Sequence, residues 1–271
     1  MKGKKNNQND TITGPVLAID IGLRNLSMCI MSGKADDIST FRIHLWDTFN
    51  TLDSDDYSCE SLQKNGKVCG KKCTFKHNNQ DNATIYTCKT HFPKDITVKK
   101  EHTFKKKNVD DYLLQDIADI VLQRVQEIYN TNIDIFNSLK SIVIELQPKI
   151  NQKMKFTSHI IYGKLVELYR GTSCTIRFVR ASQKLKAYTG ESIDSKCPLK
   201  GAYAKRKWLS VEYTKWFLEN KFSKEQKEKW LPVLMSKKKA DDACDTALMC
   251  INAIVGIPKK QRTQKNGKDI K

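Results

Sequence analysis

VLAIDIGLRNLSMCI, residues 16–30, contains an apolar run that ends at one carboxylate, Asp20. Gly22 follows two residues later, and a second apolar run begins at Leu26. Short apolar runs separated by turn residues predict two strands joined by a tight turn. Asp20 is then a turn-former, since Asp before a glycine is common in turns, or the first ligand of a metal site. The same pattern also occurs in phosphate-binding loops, so the rest of the chain has to separate these three interpretations.

After this stretch, segments with the sequence pattern of strands alternate with segments that have helical periodicity. Its 271 residues are enough for one large domain with a small insertion. Residues 16–20, 26–32 and 41–47 predict an antiparallel meander, and SIVIELQP and CTIRFVR predict two further strands. VDDYLLQDIADIVLQRVQEIY has helical periodicity, and Asn108 or Asp110 is a candidate N-cap. Three more segments read as helices, namely KMKFTSHIIYGKLVELYR, KRKWLSVEYTKWFLENK and ADDACDTALMCINAIV. This order predicts an α/β fold with a mixed sheet.

The net charge of the chain indicates which kind of molecule it would bind. Lys and Arg number 48 against 30 Asp and Glu, a formal net charge of +18. Such an excess favours a polyanion, bound in a salt-dependent way, although a lysine-rich surface also serves solubility. No apolar run approaches the roughly 18 residues of a membrane span, and the N-terminus lacks the apolar region of a secretory signal. We therefore expect no membrane partner, and a reducing intracellular compartment in which nine cysteines are free or metal-bound.

Carboxylates recur at places where apolar residues dominate. Asp20 ends the first strand, Glu145 ends Ile142–Ile144, and Asp241, Asp242 and Asp245 open the last helix. Acidic residues in a first helical turn also complement the helix dipole, so caps and turns remain an alternative for some of them. If these carboxylates converge, bound cations must offset their repulsion, and oxygen ligands suit Mg²⁺ or Mn²⁺. Two such ions about 4 Å apart would activate a water in phosphodiester hydrolysis.

Three of these segments together resemble a known family. VLAIDIGLRNLSMCI, IVIELQPKINQKMKF and ADDACDTALM are similar, in this order, to the motifs of the RuvC-like Holliday junction resolvases. The likeness is greatest to the branch that includes the enzymes of poxviruses, other large DNA viruses and fungal mitochondria. It spans about residues 16–255 apart from the insertion.

The resemblance implies a ribonuclease H-like fold with a mixed five-stranded sheet flanked by helices. It implies Asp20, Glu145, Asp242 and Asp245 as catalytic ligands of two Mg²⁺ or Mn²⁺ ions, with Asp241 as a spare. The implied activity is symmetric cleavage of four-way DNA junctions by a homodimer, without a small-molecule cofactor. A viral source would place the protein in the host cytoplasm or a viral factory; otherwise the mitochondrion or nucleus is expected.

A segment rich in cysteine and histidine interrupts this pattern at residues 53–107. Its apolar residues are too few to fold by packing alone, which favours a stabilising metal. A tetrahedral, closed Zn²⁺ site needs four N or S ligands. We expect these to be Cys59, Cys69, Cys88 and His91, with Cys73 and His77 as rivals. Free cysteines in a lysine-rich loop remain the alternative.

Basic residues cluster beside the acidic positions and elsewhere at helix starts. They would position a DNA backbone without reading its sequence, although any one of them is also typical of a solvated surface. The candidate DNA-binding residues are Lys149, Lys153, Lys155, Lys205, Arg206, Lys207, Lys237, Lys238 and Lys239.

The expected organisation is a nuclease domain of residues 16–52 and 108–257, the insertion at 53–107, and disordered basic tails at 1–15 and 258–271. Three other functions remain open. One is a sugar-kinase or actin-like phosphotransferase, although no second glycine-rich loop is apparent. Another is a non-catalytic zinc DNA-binding protein. The third is a transposase or a ribonuclease with the same carboxylate geometry.

Overall fold

A computed structural model describes residues 14–52, 57–79, 81–103, 108–147, 150–237 and 240–256. Its strands are β1 (Val16–Ile21), β2 (Asn25–Lys34), β3 (Asp37–Asn50), β4 (Phe75–Asn78), β5 (Thr84–Thr87), β6 (Ser141–Glu145) and β7 (Thr175–Val179). Its α-helices are α1 (Leu114–Thr131), α2 (Ile133–Asn137), α3 (Gln152–Leu168), α4 (Ala202–Asn220), α5 (Lys224–Ser236) and α6 (Asp241–Val255). Most of the predicted tails, and residues 53–56 and 104–107 of the insertion, lie outside the described residues.

Five strands form one sheet in the order β3-β2-β1-β6-β7. β2 runs antiparallel to β1 and β3, whereas β6 runs parallel to β1 and β7 runs parallel to β6. The turn between β1 and β2 is closed by the Gly22 N–H, which donates to the Asn25 carbonyl at 2.7 Å. The predicted meander and the predicted mixed five-stranded α/β sheet with flanking helices are confirmed.

Helices cover both faces of the sheet, so the central strands are buried on both sides. Alternate residues point to opposite faces. Val16, Ala18 and Val143 pack towards α4, α5 and α6, whereas Leu17 and Ile19 pack towards α1 and α3. This two-sided burial explains why β1 reads as a nearly continuous apolar run that breaks only at Asp20.

The helices differ from the prediction in three places, the smallest of which is α2, a five-residue helix that was not predicted. α1 begins at Leu114, so the proposed N-cap at Asn108 or Asp110 is wrong. Those residues belong instead to a short 3₁₀ turn, in which the Asn108 N–H donates to the Asp111 carboxylate at 2.9 Å. α5 was not predicted, because the first half of its sequence is mostly charged and its second half contains Pro232. It docks through few side chains, among them Gln226, whose amide oxygen accepts from a β3 backbone N–H at 2.8 Å.

The segment 57–103 has little regular structure. β4 and β5 pair as a short antiparallel hairpin, and isolated bridges tie the neighbouring loops together. Its buried residues centre on Cys59, Cys73 and Cys88 rather than on aliphatic side chains. Among the described residues of the whole chain, no helix is both long and apolar enough to span a membrane.

Candidate functional site

Three carboxylates from distant parts of the chain meet at one end of the sheet. Asp20 lies near the carboxyl end of β1 and Glu145 is the last residue of β6. These strands are parallel neighbours with Ile19 opposite Ile144, so the two acids emerge side by side. Asp245 joins them from the first turns of α6, which packs on β1. A carboxylate oxygen of each residue lies within 4.8 Å of the other two.

The three carboxylates line a cavity of about 620 Å³. Asp242 lines the same cavity but does not join the cluster. Asp20 and Glu145 are partly buried, and Asp245 is buried. Other side chains with polar groups also line the wall, including Asn25, Gln147, Ser182, Tyr203 and Arg206. The cavity is thus lined both by carboxylate oxygens and by cationic side chains, those of Lys184, Arg206 and Lys207.

A lysine that the sequence did not indicate sits inside the cluster. The Lys184 ammonium donates to Glu145 Oε2 at 3.1 Å and to Asp245 Oδ2. The other Asp245 oxygen, Oδ1, accepts from the Ser210 hydroxyl of α4. Ser210 is fully buried, so this hydrogen bond fixes the orientation of the Asp245 side chain. Neither contact could be read from local patterns, because each joins segments that are far apart in sequence.

The electrostatics of the cluster follow from crowding and burial. Burial raises the pKa of Asp20 well above its ordinary value, and the nearby Glu145 and Asp245 charges raise it further. Burial also raises the pKa of Asp245, although Lys184 and Ser210 oppose this effect. The pKa of Lys184 is raised: burial alone would lower it, but the Asp245 and Glu145 charges outweigh burial. The site therefore favours extra positive charge or bound protons.

Asp241 has a different environment at the start of the same helix. Lys207 of α4 contacts the Asp241 carboxylate and lies 3.7 Å from Asp242 Oδ1. The pKa of Asp241 is lowered, since the Lys207 contact outweighs the effect of burial. Asp241 is absent from the carboxylate cluster, and Lys207 bridges the two aspartates at the wall of the cavity.

The other candidate DNA-binding residues are dispersed. The Lys153 ammonium donates to the carbonyls of Val109, Asp110 and Tyr112 at 2.8–3.0 Å, so it holds the turn before α1. Lys205 pairs with Asp194, and Lys237 with Asp47. Lys155 is exposed and Arg206 lines the cavity. Lys149, Lys238 and Lys239 lie outside the described residues.

The predicted zinc ligands also meet. Cys59, Cys69, Cys88 and His91 each offer one ligand atom, and these atoms lie within 4.8 Å of one another. His91 Nδ1 is 3.4 Å from Cys59 Sγ and 3.5 Å from Cys88 Sγ, and the Sγ atoms of Cys69 and Cys88 are 3.8 Å apart. Hydrogen bonds with Ser61, with the Cys88 backbone and with His91 outweigh burial and lower the pKa of Cys59 to about 6. Three thiols and one imidazole are the donors that Zn²⁺ prefers.

The two rival ligands are placed differently. Cys73 is buried beside the group but is not one of its four members. His77 lies on β4 with its ring edge-on to Phe92, at 5.7 Å between centroids. His77 is therefore part of an aromatic contact rather than of the Cys/His group.

Comparisons with known proteins give distant likenesses. No protein-family model matches the chain. The chain is 27% identical over 221 residues to the uncharacterised protein L451 of Acanthamoeba polyphaga mimivirus; the match covers 74% of this chain and 49% of that protein. The chain thus spans about half the length of the curated relative it matches.

Solved structures of Thermus thermophilus RuvC align over 90% of this chain and 97% of theirs. For RuvC the TM-score is 0.39 at 11% identity, and for RuvC with a Holliday junction substrate it is 0.40 at 10% identity. Likenesses this weak say nothing about the activity of the chain.

Proposed function

We propose that the chain is a metal-dependent, structure-selective endonuclease of the ribonuclease H-like fold that resolves four-way DNA junctions. The observation that carries the proposal is the convergence of Asp20, Glu145 and Asp245 in one cavity from three separated segments. The Lys184 ammonium offsets only part of the negative charge of these three carboxylates, so a purely structural role as caps and turns does not account for their convergence. The nuclease domain would comprise residues 16–52 and 108–257.

The donor set fits a divalent cation. Asp20, Glu145 and Asp245 would hold Mg²⁺ or Mn²⁺, with Asp242 reaching from the cavity wall, and the expected number is two ions. When bound, such ions stabilise charge on a phosphate and lower the pKa of a water. Ser210 orients Asp245 for this task, and Arg206 and Lys207 at the wall would attract the phosphate backbone.

The net charge of the chain and the two-fold symmetry of a four-way junction support branched DNA as the substrate. A net charge of +18 suits a polyanion better than a sugar or another small anion. A four-way junction has two-fold symmetry, which a homodimer with two cavities matches. The family resemblance in three ordered motifs supports junction resolution rather than transposition or hybrid cleavage, and it implies 5′-phosphate and 3′-hydroxyl ends.

The insertion would hold one structural Zn²⁺ through Cys59, Cys69, Cys88 and His91. Four protein ligands close the coordination sphere, so this ion would stabilise the fold and take no part in chemistry. The segment buries few aliphatic side chains, which supports folding around a metal. The similarity to a viral protein supports a viral origin, and the host cytoplasm or a viral factory as the place of action.

A substrate panel tests the activity. The protein is incubated with a four-way junction, a linear duplex, a flap and an RNA–DNA hybrid, with Mg²⁺ or with EDTA. We expect symmetric cuts in the junction that require Mg²⁺. Preferential cutting of the hybrid or of linear duplex would contradict junction selectivity. Saturable ATP binding without DNA binding would favour the phosphotransferase instead.

Two substitutions test whether the carboxylate cluster is responsible for DNA cleavage. Asp20→Asn and Glu145→Gln should lower cleavage by at least about 10²-fold while junction binding persists, because they remove ligands and not phosphate contacts. Asp119→Asn, on the exposed face of α1, is the matched control and should cleave normally. Full activity in both cluster variants would exclude this site, and binding without cleavage in the unmodified protein would favour a non-catalytic role.

A further inference from the structure

The Lys184 ammonium contacts two of the three carboxylates that are candidate metal ligands. These two are Glu145 and Asp245 inside the cavity, and the Lys184 side chain is 13% exposed. We propose that Lys184 is an internal counter-ion of the carboxylate cluster, which a divalent cation must displace in order to bind. The inference rests on the proposed metal centre and adds a competitor to it.

The contacts of Asp245 show why displacement is needed. One carboxylate oxygen accepts from Ser210 and the other from Lys184, so both oxygens are engaged. Ser210 is fully buried on α4 and has a short side chain that the helix holds in place. Lys184 has a long flexible side chain on a 3₁₀ segment, Ala181–Ala187, and lines the cavity. The ammonium is therefore the partner that can leave.

The charges also favour exchange. Among the residues that the structure describes, Lys184 supplies the one ammonium in contact with the cluster, so three ionised carboxylates with this ammonium keep a formal charge of −2. A divalent cation among these oxygens would lie within a few ångströms of the ammonium, where like charges repel strongly in a partly buried site. Metal and ammonium thus cannot occupy the cluster together without a large cost. In the metal-free protein the lysine prevents two partly buried carboxylates and one buried carboxylate from facing one another without a cation.

Mn²⁺ binding without DNA tests this exchange. Free Mn²⁺ is followed by electron paramagnetic resonance in titrations of the full chain and of Lys184→Met. Removing the competing charge should tighten Mn²⁺ binding by about tenfold, whereas a merely structural lysine would leave it equal or weaker. The same variant should have a lower melting temperature without metal and a larger gain on adding Mn²⁺.

Three further variants complete the test. Lys184→Arg keeps the charge and should bind Mn²⁺ like the unmodified protein. Lys186→Met removes an exposed lysine two residues away and should change neither measurement. If Lys184→Met does not fold, Lys184→Gln, which lacks the charge but can donate a hydrogen bond, carries the same expectation.

The possible failures are separable. Unmodified protein that binds no Mn²⁺ would overturn the proposed metal centre itself. Protein that binds Mn²⁺ equally in the presence and absence of the Lys184 charge would overturn the counter-ion role alone.

Discussion

Asp245 depends on its neighbours more than the other two acids do. It is the buried member of the cluster, and a serine hydroxyl and a lysine ammonium satisfy its two oxygens. A buried carboxylate that loses such a hydrogen bond bears the cost of desolvation. Ser210 is therefore a positioning residue that acts through Asp245.

Ser210→Ala tests this role. The change removes one hydrogen bond to a charged group, so the free energy of unfolding should fall by about 1–3 kcal/mol, as urea denaturation would measure. Mn²⁺ binding should weaken as well, because the Asp245 side chain gains freedom. Ser236→Ala, at an exposed position near the end of α5, should alter neither quantity. Unchanged Mn²⁺ affinity in Ser210→Ala would show that Asp245 is oriented by other contacts.

Single residues were predictable from sequence only where the pattern was unusual. Asp20 and Glu145 each end an apolar strand, so their positions were predicted, and the structure brings both to one cavity. Lys184 and Ser210 lie in segments with ordinary polar composition, and only the fold brings them to Asp245. Lys153 shows the reverse: a lysine beside a candidate site holds three backbone carbonyls instead.

Lys153 connects two elements, since it lies on α3 and binds the turn that precedes α1. Lys153→Met should lower the free energy of unfolding by about 1–3 kcal/mol, because three carbonyls lose their donor. Lys155→Met, two residues further along α3 at an exposed position, should leave stability unchanged and weaken DNA binding modestly. Thermal unfolding and junction titration of both variants distinguish these roles. If the Lys153→Met protein kept full stability but bound DNA more weakly, Lys153 would be a DNA-binding residue, as the sequence predicted.

The Cys/His segment is predicted to bind one Zn²⁺ as a structural unit. One Zn²⁺ per chain should be found by elemental analysis, and Cys69→Ser should lose it because three ligands bind weakly. Cys73→Ser is the matched control, since Cys73 is buried nearby but is not one of the four grouped residues. Loss of zinc from Cys73→Ser with retention in Cys69→Ser would reassign the ligand set.

Whole elements were predictable where apolar periodicity was strong. The meander and α6 follow from such patterns, and the sheet has the predicted mixed character. α5 was missed because it buries only Gln226, Trp230 and Leu234, too few to make a helical stripe. The start of α1 was predicted too early, because Asn108 and Asp110 are typical N-cap residues and Leu113 is not. The helix nevertheless begins after Leu113, whose N–H donates to the carboxylate of Asp116 in the first helical turn.

For the molecule as a whole, the cluster couples stability to pH, and a bound metal ion would add to this coupling. The pKa of Asp20 is raised in the fold, mainly by burial, so the metal-free folded protein binds this proton more tightly than the unfolded chain does. That contribution to stability is complete below the ordinary aspartate pKa and is lost as pH rises through the raised value.

Mg²⁺ should replace the lost protons. The gain in melting temperature on adding Mg²⁺ should therefore be larger at about pH 8 than at about pH 5. Differential scanning fluorimetry at matched ionic strength measures this, and Asp20→Asn should reduce the difference between the two pH values. An equal gain at both pH values in the unmodified protein would mean that protons and metal do not compete at this site.

The central claim is that Asp20, Glu145 and Asp245 form a divalent metal centre, and a crystal structure with Mn²⁺ tests it most directly. Anomalous scattering locates Mn²⁺ independently of any assumption about the site. We predict anomalous density in contact with oxygens of all three carboxylates, with the Lys184 ammonium withdrawn from Asp245. A cluster without anomalous density at saturating Mn²⁺, in which Lys184 still bridges Glu145 and Asp245, would contradict the claim.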